Sequence, residues 1–185
     1  FVNIVNGNTH NTVTTEYAHY YLFLSALNLY HYDTEDLFHN FINKFPLSNK
    51  QLDARFYMSQ YLFEKKKYKE VVDLLSQVNL YSFSNSRQKN VFFYLGYSAY
   101  KMQDFDLAKN SFYELIIDNN AHYREDALFY NSHILFLDNQ LDLALTGFND
   151  LISSKKYSTQ VPYYISKILF DTHEYKKLVN YLDPL

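Results

Sequence analysis

The chain has 185 residues, with 17 Lys and Arg against 20 Asp and Glu and a formal charge of -3. That balance offers no clustered positive charge for a phosphate backbone and argues against a nucleic-acid partner. Hydrophobic residues make up 48%, yet no run approaches the roughly 18 apolar residues of a membrane-spanning helix. With 3 Gly and 3 Pro, the many turns of a sandwich or barrel are undersupplied, which leaves helices.

Residues 1–13 are rich in Asn, Thr and Val and lack a helical period, so they read as an extended lead-in. Phe1 in place of Met marks the sequence as an expected piece of a longer protein. The spacing predicts a helix from Glu16 to about Tyr30 and a second from Thr34 to Phe45. Thr34 is the expected cap of the second, Glu35 and Asp36 favour its positive end, and Pro46 stops it.

From there the chain repeats itself. A small residue in a first helix falls at Ser59, Gly96, Ser132 and Ser166, and an apolar one three later at Leu62, Ala99, Leu135 and Leu169. A ring or Leu opens the second helix at Tyr68, Phe105, Leu141 and Tyr175. It is followed by Val71, Ala108, Ala144 and Leu178, then by Leu75, Phe112, Phe148 and Leu182. The columns recur at steps of 34 to 37 residues. The small side chain lets the two helices of a pair approach closely, and the large residues interlock with the next pair.

This layout resembles the tetratricopeptide repeat family. The match is fullest over residues 89–122, in Leu95-Gly96, Ala108, Phe112 and the turn Asp104-Phe105-Asp106. The family's ring at the start of the first helix appears as Phe92 and departs to Arg55, Leu128 and Pro162 in the other units. The resemblance implies an all-α, right-handed superhelical solenoid of about five antiparallel helix pairs. The expected units are 14–48, 49–84, 85–121, 122–157 and 158–185, forming one repeat domain over 14–185. The junction Phe45-Pro46-Leu47-Ser48 is similar to that of cell-envelope members related to outer-membrane assembly lipoproteins and Tol-Pal accessory proteins. That likeness implies a periplasmic or outer-membrane-associated location.

Catalytic apparatus is not visible in the sequence. With 0 Cys, disulfides, thiol chemistry and Cys-ligated zinc are unavailable. The 7 His include no His-Glu-x-x-His motif, and no metal site or cofactor is expected. The pairs Asp33 with Asp36, Asp104 with Asp106, and Glu125 with Asp126 sit at helix starts and read as caps. The Lys pairs and triplet at 65–67, 155–156 and 176–177 fall at helix ends, where they read as solvated edges.

In the family that this chain resembles, the first helix of each pair lines the concave surface. Its groove-facing positions map to Phe56, Gln60 and Phe63; Phe93, Tyr97 and Tyr100; Phe129, His133 and Phe136; and Tyr163, Lys167 and Phe170. Rings give large contact area while immobilising few torsions, so this lining suits an interface. The same rings also suit packing between adjacent first helices. The Lys, Asn and Arg set with which some family members clamp a carboxylate is missing, those positions being Phe56, Gln60, Tyr94, Asp126 and Tyr130. The expected function is a non-catalytic scaffold for a protein or peptide segment. A glycan-binding role and a purely structural role in a larger envelope solenoid are the alternatives, and an exposed ring-rich groove also favours self-association.

Overall fold

A computed structural model describes residues 12–183. Among the described residues all regular structure is helical: α1 (Thr12–Asn28), α2 (Thr34–Lys44), α3 (Gln51–Glu64), α4 (Tyr68–Leu75), α5 (Asn85–Lys101), α6 (Phe105–Ile116), α7 (Arg124–Leu137), α8 (Leu141–Asn149), α9 (Gln160–Asp171) and α10 (Tyr175–Leu182), with a short 3₁₀ turn at Leu80–Ser82. No described helix is long and apolar enough to cross a membrane. The ten described helices follow one another in five pairs, over 12–44, 51–75, 85–116, 124–149 and 160–182. The expected lead-in over 1–13 lies outside the described residues except for its last two, and these are helical. Thr and Val are poor helix formers, but the next turns bury Ala18, His19, Tyr20 and Phe23, and that packing carries the helix back over them.

The chain divides between Tyr94 and Leu95 into two compact units. In the first, α1 and α2 pack antiparallel: ring centroids of Phe23 and Phe38 lie 5.5 Å apart, and those of Tyr20 and Phe41 also 5.5 Å. The helix α3 adds Ala54, Met58 and Leu62, and α4 adds Val71 and Leu75, all buried. In the second unit one cluster of buried residues joins α7, α8 and α9 through Leu128, Phe129, Ala144, Phe148, Ile165 and Leu169. Its antiparallel register follows from Phe129 on Phe148 and from Gly147 against Ser132 and Leu128.

One cap geometry closes the first helix of every pair. Tyr30, Lys66, Gln103, Asn139 and His173 have φ of 51, 59, 63, 58 and 60°, the left-handed region. After each, a backbone N–H reaches back six residues inclusive: His31 to Ala26, Lys67 to Leu62, Asp104 to Ala99, Gln140 to Leu135 and Glu174 to Leu169, at 2.8–2.9 Å. These are Schellman caps built without glycine. A side chain in that region costs about 1–2 kcal/mol, partly offset in a glycine replacement by the greater freedom of the unfolded chain. Lys66→Gly should therefore raise stability by about 0.5–1 kcal/mol, and Asn139→Gly by less, because Asn tolerates the conformation better. Urea denaturation of the two variants checks the order; equal gains would contradict it.

Two expectations about helix starts need correction. Thr34 does not cap α2: it is its first residue, fully buried, and its hydroxyl donates to the His31 carbonyl at 2.6 Å. The β-branched side chain is drawn inward by packing, leaving the dipole to Glu35 and Asp36. Asp104 does cap α6, accepting from the Leu107 N–H at 3.2 Å. Asp126, by contrast, lies inside α7 rather than at its cap, and is only 7% exposed. Its Oδ1 accepts from the Tyr157 hydroxyl at 2.6 Å and pairs with Lys156 at 2.6 Å.

Candidate functional site: a ring-rich face on α5, α7 and α9

In the second unit the first helices of three pairs gather rings. From the end of α5 come Tyr97 and Tyr100, from α7 Tyr130, His133 and Phe136, and from α9 Tyr163, Tyr164, Lys167 and Phe170. The ring of Tyr100 lies 4.9 Å from that of Tyr130, and Tyr97 meets Tyr130 edge-on at 5.0 Å. His133 bridges toward α9, edge-on to Tyr164 at 5.3 Å, while Phe136 approaches Tyr164 at 5.4 Å. Tyr164 is anchored from beneath by Phe148, stacked at 4.8 Å and 4°. Such edge-to-face and offset contacts fix ring positions and contribute beyond buried area.

Polar groups are set into this face. The Tyr100 hydroxyl is 3.1 Å from His133 Nδ1. Lys101 lies over the rings of Tyr97 and Tyr100, at 5.3 and 5.9 Å from their centroids. Lys167 is held by Asp171 one turn on, at 2.6 Å. Burial pushes the hydroxyl pKa of Tyr100 and Tyr164 upward, and that of Tyr130 still further, first through burial and then through Tyr97. All three stay neutral donors at physiological pH.

The residues expected to line a groove therefore divide. In the first unit Phe56 and Phe93 are buried, Phe56 under the Arg87 guanidinium at 4.7 Å, and Phe63 stacks on Tyr94 at 4.7 Å. Phe63 and Gln60 are half-buried there; the Gln60 amide donates to Glu64 at 3.0 Å beside a cavity of about 220 Å³ that it shares with Tyr30, Tyr57 and Tyr61. In the second unit Phe129 is buried, stacked on Tyr157 at 4.2 Å and 8°. Tyr97, Tyr100, His133 and Phe136 are half-buried, and Tyr163 and Phe170 are exposed at 62% and 56%. Of the rings expected to line a groove, the exposed ones, Tyr163 and Phe170, thus lie in the second unit, together with half-buried Tyr97, Tyr100, His133 and Phe136.

Tyr130 and Tyr164 belong to this face; Tyr164 was not among the expected groove positions, and Tyr130 was singled out only as a position where a carboxylate-clamping side chain is missing. A signal for them exists: Tyr94, Tyr130 and Tyr164 recur with the repeat, each directly after a ring already singled out. Several of the clustered lysines meet local partners. Lys67 pairs with Glu35 at 2.6 Å, Lys65 covers the rings of Tyr30 and Tyr61, and Lys156 meets Asp126.

Burial lowers the pKa of His133 below its ordinary 6.5, because the imidazolium is poorly solvated among these rings. His19, buried on α1, is lowered too, by burial and then by the nearby Lys44 charge. For a depressed histidine the unfolded chain takes up the proton first as pH falls. Its stabilising contribution is complete above about pH 6.5 and is lost as pH drops toward the folded pKa. The urea midpoint should decline from about pH 7 to pH 5, and His133→Gln should flatten that decline. A His133→Gln slope as steep as the parent's would show that His133 does not contribute.

Comparison with family models, with curated proteins and with solved structures yields no match for this chain.

Proposed function

We propose that the chain is a non-catalytic, tetratricopeptide-like repeat scaffold, and that the ring-rich face of α5, α7 and α9 binds an extended apolar segment of a partner protein. The observation that carries this reading is the gathering of half-buried and exposed rings, Tyr97, Tyr100, His133, Tyr163, Tyr164 and Phe170, all but Phe170 with polar tips, on the first helices of three successive pairs. The fivefold cap geometry and the close approach of Gly96 to Phe112 support the repeat assignment. Rings already held by their neighbours lose little entropy on binding, and the tyrosine hydroxyls and His133 supply donors and acceptors for a peptide backbone.

The test is selection from a random dodecapeptide library displayed on phage, followed by calorimetry on the enriched peptides. The selection should converge on apolar sequences that bind with a negative heat-capacity change and with affinity altered less than about threefold between low and high salt. Tyr163→Ala, which removes an exposed ring without opening the core, should weaken them about tenfold. Convergence on acidic peptides with salt-sensitive affinity would assign binding to Lys101 and Lys167 instead. Recognition of sugars on a glycan array, with no peptide enrichment, would also reject the reading.

A further inference from the structure

In the first unit, α2, α3 and α4 enclose an open cavity of about 340 Å³ that the ring-rich face does not involve. Its floor is apolar, made by Phe38, Met58, Leu62 and Leu74, all buried, with half-buried Ile42 beside them. Its rim is polar and acidic: Glu35, His39, Asn43, Glu70, Asp73 and Gln77. Glu35 is occupied by Lys67 at 2.6 Å, while Glu70 and Asp73 are exposed on α4. The volume lies in the range of small-ligand pockets.

One wall is a cation. Arg55, on α3, lines the cavity, and its Nη1 is buried without a hydrogen-bond partner. Burial lowers its pKa, and no carboxylate acts against that. Arg55 as a whole is half-buried, but a guanidinium nitrogen withdrawn from water normally meets a carboxylate or phosphate, since an unpartnered donor forfeits its hydration. The repeat makes the oddity sharper. The equivalent residues are Phe92, Leu128 and Pro162, all apolar, the first two buried and the third half-buried. An apolar residue would thus fill this position in the same architecture, and the arginine departs from what packing alone requires.

We propose that this cavity binds a free apolar α-amino acid, its carboxylate on Arg55, its ammonium at Glu70 and Asp73, and its side chain against Phe38, Met58 and Leu74. Charge complementarity selects this occupant. A simple anion would satisfy Arg55 but meet the acidic rim, and a simple amine would satisfy the rim but leave the guanidinium unpaired. A zwitterion with an oily side chain matches floor, wall and rim together.

The test uses the whole chain, titrated with L-leucine, isocaproate, isoamylamine and glycyl-leucine by calorimetry and by methyl NMR. Leucine should bind about tenfold or more tightly than isocaproate or isoamylamine, and should shift the methyl signals of Ile42, Met58 and Leu74. Arg55→Leu, which restores the apolar residue of the other units, should fold at least as stably as the parent and abolish leucine binding. Glu70→Gln with Asp73→Asn should reduce leucine to the affinity of isocaproate. The proposal is overturned by an absence of leucine binding at about 10 mM, by unchanged binding in Arg55→Leu, or by isocaproate or isoamylamine equalling leucine. Glycyl-leucine binding as tightly as leucine would also overturn it, by making the occupant a peptide end.

Discussion

Gly96→Ala is expected to destabilise the second unit by about 2 kcal/mol, although alanine is the better helix former by about 1 kcal/mol. A Cβ at Gly96 would lie 2.8 Å from Phe112 Cε1, 2.9 Å from Cδ1 and 3.1 Å from Ser111 Cβ. Phe112 is fully buried, so its ring has nowhere to retreat without displacing neighbours, among them Tyr130, whose ring lies 6.0 Å away. The penalty is therefore one of overpacking between α5 and α6, and shrinking the opposing side chain should relieve it. Phe112→Leu alone should cost about 1–2 kcal/mol through lost contacts. The double variant should be less destabilised than the sum of the two by at least about 0.5 kcal/mol. Additive losses in urea denaturation would show that the close approach is not what requires glycine at this position.

That glycine is also where the sequence was most informative. The small residues Ser59, Gly96 and Ser132 stand out against a background of rings, and all three are buried in the structure. The columns Val71, Ala108 and Ala144, and Leu75, Phe112 and Phe148, are likewise fully buried, because a helix face that must touch its partner every turn imposes a period that survives in the residue types. The period fades in the last pair, where α10 has no buried residues and Leu182 is 47% exposed.

Other features left little trace. The five left-handed caps carry Tyr, Lys, Gln, Asn and His, so the glycine that ordinarily announces such a helix end is missing. On α5, residues Val91 to Gly96 are buried without interruption. A helix surrounded on several sides loses its amphipathic stripe, and which rings face outward then depends on neighbours far along the chain. This is why buried Phe56, Phe93 and Phe129 shared a column logic with surface-facing Tyr97, Tyr163 and Phe170. Asp126 was hidden for a different reason. An acid in the first turn of a helix is ordinary, and nothing near it in sequence points to a tyrosine 31 residues later.

Removing that carboxylate should have the larger consequence. Asp126→Ala is expected to cost about 3 kcal/mol, since it leaves the buried Tyr157 hydroxyl without its acceptor and removes the partner of Lys156. The pKa of Tyr157 is pushed strongly upward, by burial and then by its hydrogen bond to Asp126, which marks the hydroxyl as a committed donor. Tyr157→Phe keeps the ring stacked on Phe129 and deletes only that donor, so it should cost less, about 1–2 kcal/mol. Lys156→Met should cost under about 1 kcal/mol, because the lysine is 57% exposed and its pairing is screened by water. The order Asp126→Ala, then Tyr157→Phe, then Lys156→Met follows from burial rather than from charge. If Lys156→Met proved as damaging as Tyr157→Phe, the ion pair and not the buried hydrogen bond would be what ties the loop before α9 to α7.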